Sequence, residues 1–352
     1  MTLPEPRPDL GLRDGYHSPQ VDVPVRLNTN ESPLPPPPGW SARLAEEVGS
    51  IEWNRYPDRQ AGELRAALAA FHGVRVEQVF CANGSNEVLQ CLCLAYGGPG
   101  RRVATFEPTY ALHAHIAHLA VTGVVQGRRR DDFSLDLGQV ADVVAAHQPV
   151  ITFLCSPNNP TGLAEDPASV RAVLDLAPGL VVVDEAYGQF ADWSALSLVE
   201  DTRPLVVTRT FSKTWSMAAA RLGYLVGPAE VVANLERVAL PYHLDAFKQL
   251  AGRLALEFTG EMEERVGLIV RERQRIVAAM GPMAVTAWPS QSNFVLFRPE
   301  SRKGGEVWAA LLERGVLIRD TSSWPGLSGC LRVTVGTPEE NDAFIDALRE
   351  AV

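Results

Sequence analysis

Six short runs, QVFCA (78–82), RVATFE (102–107), PVITFLC (149–155), LVVVDEA (180–186), RPLVVT (203–208) and RLGYLVG (221–227), are mostly apolar rather than alternating. A strand with one wet face alternates polar and apolar residues, whereas a strand covered on both faces does not need to. Between several of these runs lie SNEVLQCLCLAY, ALHAHIAHLA and DPASVRAVLDLA, with apolar residues at helical spacing. Such alternation predicts an α/β fold, a mostly parallel sheet flanked by helices, in a large domain over residues 41–240. Ligands of such sheets bind beyond the carboxyl ends of the strands, so residues just past these runs are the candidates for a site.

After residue 241 the pattern changes. A long helical tract over 243–280 leads to SNFVLF, GGEVWAALLERG, VLIRD, CLRVTVG and PEENDAFIDALRE. The order strand–helix–strand–strand–helix predicts a smaller α+β domain over 241–352, joined by a linking helix. Residues 1–40 are rich in proline and close with ESPLPPPPGW. Four consecutive prolines favour an extended arm, expected to lie over the body of the protein and pack with the small domain.

Charge narrows the partners. With 42 acidic against 32 basic residues the net charge is −10, which argues against nucleic acid and anionic membranes as partners. The one dense basic run, Arg128-Arg129-Arg130, is followed at once by Asp131-Asp132 and reads as a solvated loop. No apolar run approaches the ~18 residues that span a bilayer, and MTLPEPRPDL lacks the pattern of a signal peptide. The five cysteines form no C-x-x-C pair and are expected as small buried hydrophobes in a reducing cytoplasm.

Two groups then stand out. Asp184 and Glu185 end the run LVVVDEAY, where a carboxylate emerges at the ligand-binding edge. A magnesium-binding role in a nucleotide triphosphatase would require a phosphate loop with Gly-Lys, and the chain has no Gly-Lys dipeptide. Lys213 is the only lysine before Lys248 in a chain that otherwise prefers arginine. Arginine cannot form an imine, whereas a lysine with a lowered pKa is a nucleophilic amine. On spacing alone Lys213 is equally a surface lysine in a loop. Its neighbours favour the amine. Ser212, Arg221 and the turn NGSN (83–86), with Gly84 for close approach and Ser85 opening a helix, can converge on one dianion. An amine, a phosphate cup and a buried carboxylate are the three protein groups that pyridoxal phosphate (PLP) requires.

LNTNESP, NRYPD, CANGSNEVL, FEPTY, CSPNNPTG, VVVDEAY, RTFSKTWSMAAARLGY, NFVLF, GVLIRD and CLRVTVGTPEEN occur in that order along nearly the whole chain. In these segments the chain resembles the fold-type-I PLP aminotransferases, and within them the histidinol-phosphate aminotransferase family. The resemblance implies that Lys213 condenses with the cofactor aldehyde and then moves the substrate proton. It implies Asp184 against the pyridine nitrogen, Tyr187 and Asn159 on the phenolic oxygen, and Tyr110 stacked on the ring. Gly84, Ser85, Asn86, Ser212 and Arg221 would hold the phosphate, joined by Tyr56 from the partner subunit of a homodimer with shared sites. Arg332, Arg319, Tyr16 and Asn30 would bind substrate, with histidinol phosphate as donor and 2-oxoglutarate as acceptor. An aromatic amino acid aminotransferase or a threonine-phosphate decarboxylase-like enzyme shares nearly all of these cofactor residues.

The segment PYHLDAFKQ departs from the family's usual PYN followed by small residues, and His243 and Phe247 are expected to reshape the substrate pocket. Gly188 directly after Tyr187 is a second departure. His113, His115 and His118 cluster after FEPTY, but on a helix the first two point about 200° apart. With no carboxylate or cysteine to complete a set, they read as an ordinary helix face rather than metal ligands.

Overall fold

The computed structural model describes residues 3–5 and 21–352. Its strands are β1 (Val25–Leu27), β2 (Val79–Ala82), β3 (Arg102–Glu107), β4 (Gly123–Arg128), β5 (Ile151–Cys155), β6 (Leu180–Asp184), β7 (Leu205–Thr210), β8 (Gly223–Val226), β9 (Val285–Ala287), β10 (Phe294–Pro299), β11 (Val316–Asp320) and β12 (Leu331–Thr334). Seven of them form one sheet in the order β2-β8-β7-β6-β5-β3-β4. β8 runs antiparallel to both its neighbours, and the other neighbouring pairs are parallel. Five form a second sheet in the order β1-β11-β12-β10-β9.

Why the strand runs are apolar throughout is visible in the packing. Every residue of β5 and β6 is buried. Phe153 and Val182 pack toward the helices Ser85–Tyr96, Leu112–Leu119 and Ala229–Val238. Leu154, Val181 and Val183 pack the other way, with residues of the helices Leu137–His147 and Pro167–Leu176. Each strand thus feeds two cores, and a polar residue on either face would lose its water.

The structure differs from the sequence expectations in several places. β4, GVVQGR, is a seventh strand that the run-based reading passes over, because Gly123, Gln126 and Gly127 break its apolar character. It lies at the sheet edge, where Gly123 and Gln126 are exposed, while Gly127 is buried against the Phe106 ring. The proline arm is shorter than expected: Pro38 opens the helix Pro38–Glu47. A first-turn proline loses no hydrogen bond, since that N–H has no helical partner. The tract 243–280 is a helix Ala246–Ala255, a short 3-10 turn Leu256–Phe258 and a helix Thr259–Met280. Arg129 is buried rather than solvated, 2.6 Å from Glu165.

The arm places the two sheets around one space. β1 pairs parallel with β11 of the smaller sheet. The chain then runs through Thr29, whose carbonyl accepts from Lys213 Nζ at 3.3 Å, and Ser32, whose Oγ accepts from Ser216 at 2.9 Å. Both contacts are to the loop that follows β7.

Candidate active site

Asp184 is the last residue of β6, and Ser212 and Lys213 follow β7 directly. Cys155 ends β5, and residues 83–86 follow β2. These strands share one direction, so their carboxyl ends open onto a common edge. A cavity lies there, lined by Asn30, Ser85, Asn86, Tyr110, Asn159, Asp184, Tyr187, Ser212, Lys213, Arg221 and Arg332, among others. Eleven of the residues singled out in the sequence therefore face one space.

The Asp184 carboxylate is fully enclosed. Oδ1 accepts from Thr208 Oγ1 at 3.2 Å and from the Ala186 N–H at 3.1 Å. Oδ2 lies 3.0 Å from His113 Nε2. Because the carboxylate accepts, the arrangement calls for the tautomer protonated at Nε2. Among the described residues the buried His113 Nδ1 has no hydrogen-bond partner, which agrees with that tautomer. The imidazole is stacked on Phe153 with centroids 4.7 Å apart, and Tyr110 packs edge-on to it at 5.4 Å. His113 is thus a site residue that the sequence reading placed on an ordinary helix face. Its position three residues after Tyr110, one helical turn on, was the available signal.

Lys213 sits against the same cavity, its Nζ 5.7 Å from the centroid of the Tyr187 ring. Burial draws its ammonium down to about 8; the Arg332 and Arg221 guanidinium groups act in the same direction and Glu31 opposes them. Part of the population is then a free amine near neutral pH. Burial raises the Tyr187 hydroxyl, so it stays protonated. That hydroxyl accepts from Asn30 Nδ2 at 2.9 Å. Asn30 Oδ1 in turn accepts from Thr334 Oγ1 at 3.1 Å, so this carboxamide orients Tyr187 as well as lining the cavity.

The helix Ser85–Tyr96 also begins at the cavity, with Gly84 before it at φ +80°. The first amides of a helix have no helical partner and favour an anion. A Cβ at Gly84 would lie 2.8 Å from Arg221 Nη2, so only glycine lets that guanidinium close over the turn. Arg221 Nη1 donates to Ser212 Oγ at 3.2 Å. Amine, enclosed carboxylate and anion cup lie around one cavity, a set that fits a phosphorylated pyridine aldehyde such as PLP.

Arg332 projects from β12, donating to Asn159 Oδ1 and, at 3.0 Å, to the Asn28 carbonyl. Arg319 of β11 lies directly opposite it in antiparallel register, so the two side chains share a sheet face. Arg319 does not line the cavity itself; its guanidinium lies 5.7 Å from the Trp324 ring centroid. Tyr56 is also away from the cavity, 80% exposed and stacked on Tyr242 at 4.6 Å. Tyr16 lies outside the described residues. His243 and Phe247, expected to reshape the substrate pocket, are not among the lining residues of this cavity. His243 stacks on Phe80, bonds the Cys81 carbonyl at 3.0 Å and faces a separate cavity.

The family model for aminotransferase class I and II matches residues 23–348. A protein of Frankia casuarinae named histidinol-phosphate aminotransferase is 46% identical, covering 96% of this chain and 89% of its own length. The protein of that name in Corynebacterium diphtheriae is 43% identical, covering 98% and 95%. Among solved structures, histidinol-phosphate aminotransferase from Sinorhizobium meliloti in complex with pyridoxal-5′-phosphate superposes with a TM-score of 0.87 at 22% identity, covering 99% of this chain and 98% of that one. The same α/β architecture is therefore shared across a wide range of sequence.

Proposed function

Since this chain belongs to the class I and II aminotransferases, we propose that it moves an amino group reversibly between histidinol phosphate and 2-oxoglutarate, with PLP as cofactor. PLP, when bound, supplies an electrophilic aldehyde and a ring that accepts electrons. In this reading the chain's own groups do the rest. Asp184, held by Thr208 and His113, would pair with the pyridine nitrogen. Lys213 offers an amine whose lowered pKa lets it give and take a proton near neutral pH. Tyr187 and Asn159 would hold the phenolic oxygen, and Tyr110 would cover the ring. Gly84, Ser85, Asn86, Ser212 and Arg221 hold the cofactor phosphate.

The observation that carries the substrate choice is the Arg319–Arg332 pair. They lie directly opposite one another on neighbouring strands, and two guanidinium groups on one face suit a phosphate dianion through charge-assisted bonds. Tyr16 would join them. The reading includes a homodimer in which Tyr56 completes the partner's phosphate cup. Tyr56 is exposed and stacked on Tyr242, and Trp53 and Leu240, their neighbours in sequence, are exposed as well, which suits a surface that meets a second copy. The five buried thiols suit a reducing cytoplasm.

A half-reaction screen tests the substrate. PLP-loaded enzyme is mixed separately with histidinol phosphate, phenylalanine, tyrosine and threonine phosphate, and loss of the cofactor's visible band is followed. Histidinol phosphate should bleach it fastest, and Arg319→Ala should remove most of that advantage while sparing phenylalanine. Faster bleaching by an aromatic amino acid would replace this substrate assignment with the aromatic aminotransferase reading.

A further inference from the structure

Only three lysines occur in this chain, Lys213, Lys248 and Lys303. Lys213 faces the cavity, and Lys303 is exposed before the helix Gly304–Glu313. Lys248 does neither. It stands in the first turn of the helix Ala246–Ala255, and its Nζ donates to Asn83 Oδ1 at 2.7 Å. Asp245 Oδ2 lies 2.9 Å from the same ammonium.

Asn83 immediately precedes Gly84 in the NGSN turn. Its Nδ2 donates to Glu87 Oε2 and to the His243 carbonyl, both at 2.8 Å. Its backbone N–H donates to Glu87 Oε2 as well. His243 also bonds the Cys81 carbonyl, two residues earlier. Residues 243–248 therefore grip the end of β2 and the turn after it at two successive points. A turn built on a glycine at positive φ has many alternatives in a free chain, and an anion site needs its amides aimed in advance. A charge-assisted bond to Asn83 removes that freedom two residues before the amides that matter.

We propose that Lys248 is a positioning residue for the cofactor-phosphate turn, acting through Asn83 to fix the aim of the Ser85 and Asn86 amides. The inference rests on residues 84–86 being the phosphate cup. It gives the PYHLDAFKQ segment a task on the cofactor side of this chain's site.

The test compares binding of PLP with binding of pyridoxal, which lacks the phosphate, to apo-protein by absorbance titration. Wild type, Lys248→Met, Lys248→Arg and Arg221→Ala are measured, each with its melting temperature. Lys248→Met should weaken PLP about three- to tenfold, the range of one net hydrogen bond, and leave pyridoxal unchanged; Lys248→Arg should recover most of the loss. An equal loss for both ligands overturns the proposal, because a lysine that merely stabilised the fold would affect both alike. If Arg221→Ala weakens PLP selectively and Lys248→Met does not, the cup stands and the brace is refuted. If neither variant acts selectively on PLP, the cup reading itself falls and the brace with it.

Discussion

Burial brings the Lys213 ammonium from an ordinary 10.5 down to about 8; Arg332 adds to the shift and Glu31 works against it. Between those two values the unfolded chain carries a proton that the folded chain has released, so this group favours the fold increasingly as pH rises through that window. Below about 8 the buried charge is a cost. The rate at which apo-protein captures added PLP should accordingly rise with pH and level off above about 8. Glu31→Gln removes the one anion that raises the pKa, so the midpoint should move to lower pH; a midpoint moving upward would contradict this account of the amine. At this scale the sequence was informative about which residues matter. It missed His113, read as part of an ordinary helix face, since the contact with Asp184 joins positions 71 residues apart.

Strand β8 shows what an element must do beyond supplying hydrogen bonds. Its antiparallel register sets Gly223 beside Ala82, and a Cβ there would lie 2.2 Å from the Ser85 backbone nitrogen and 2.5 Å from the Gly84 carbonyl carbon. No side chain fits, because the strand start and the helix start touch backbone to backbone. Gly223→Ala should push the turn off its position and weaken PLP roughly tenfold or more, the scale of overpacking a tight contact, with the circular dichroism of the apo-protein unchanged. Unaltered affinity in equilibrium dialysis would mean that the turn yields freely. The helices Pro38–Glu47, Gly62–His72, Leu137–His147 and Ala229–Val238 were not individually legible, nor was edge strand β4. Short amphipathic stretches and a glycine-broken edge strand carry weak periodic signals, and packing decides them.

For the whole molecule the outstanding question is whether one chain suffices. Tyr56 lies on the surface, away from this chain's own cavity; it is expected to complete the partner's. If sites are shared, mixing Lys213→Ala with Tyr56→Ala should restore activity that neither variant has alone, because a mixed dimer holds one site with an intact lysine and an intact partner tyrosine. Activity no greater than the sum of the separate variants would argue for self-sufficient chains. The two sheets are already linked within one chain, through β1 on one side and the Thr29 and Ser32 contacts to the Lys213 loop on the other.

The sequence by itself determined the parallel α/β class, through runs apolar on both faces, and the chemistry-bearing residues, through an amine, a carboxylate and a glycine-led turn placed just past strands. Local composition suffices for these because burial on two faces and a tight turn each demand particular residue types wherever they occur. What only the tertiary structure decided is which groups act on one another: His113 on Asp184, Asn30 on Tyr187, Lys248 on Asn83, Arg319 beside Arg332. Those pairings depend on strand order and register, which arise from the competition of whole faces for burial, and no window of neighbouring residues contains that information.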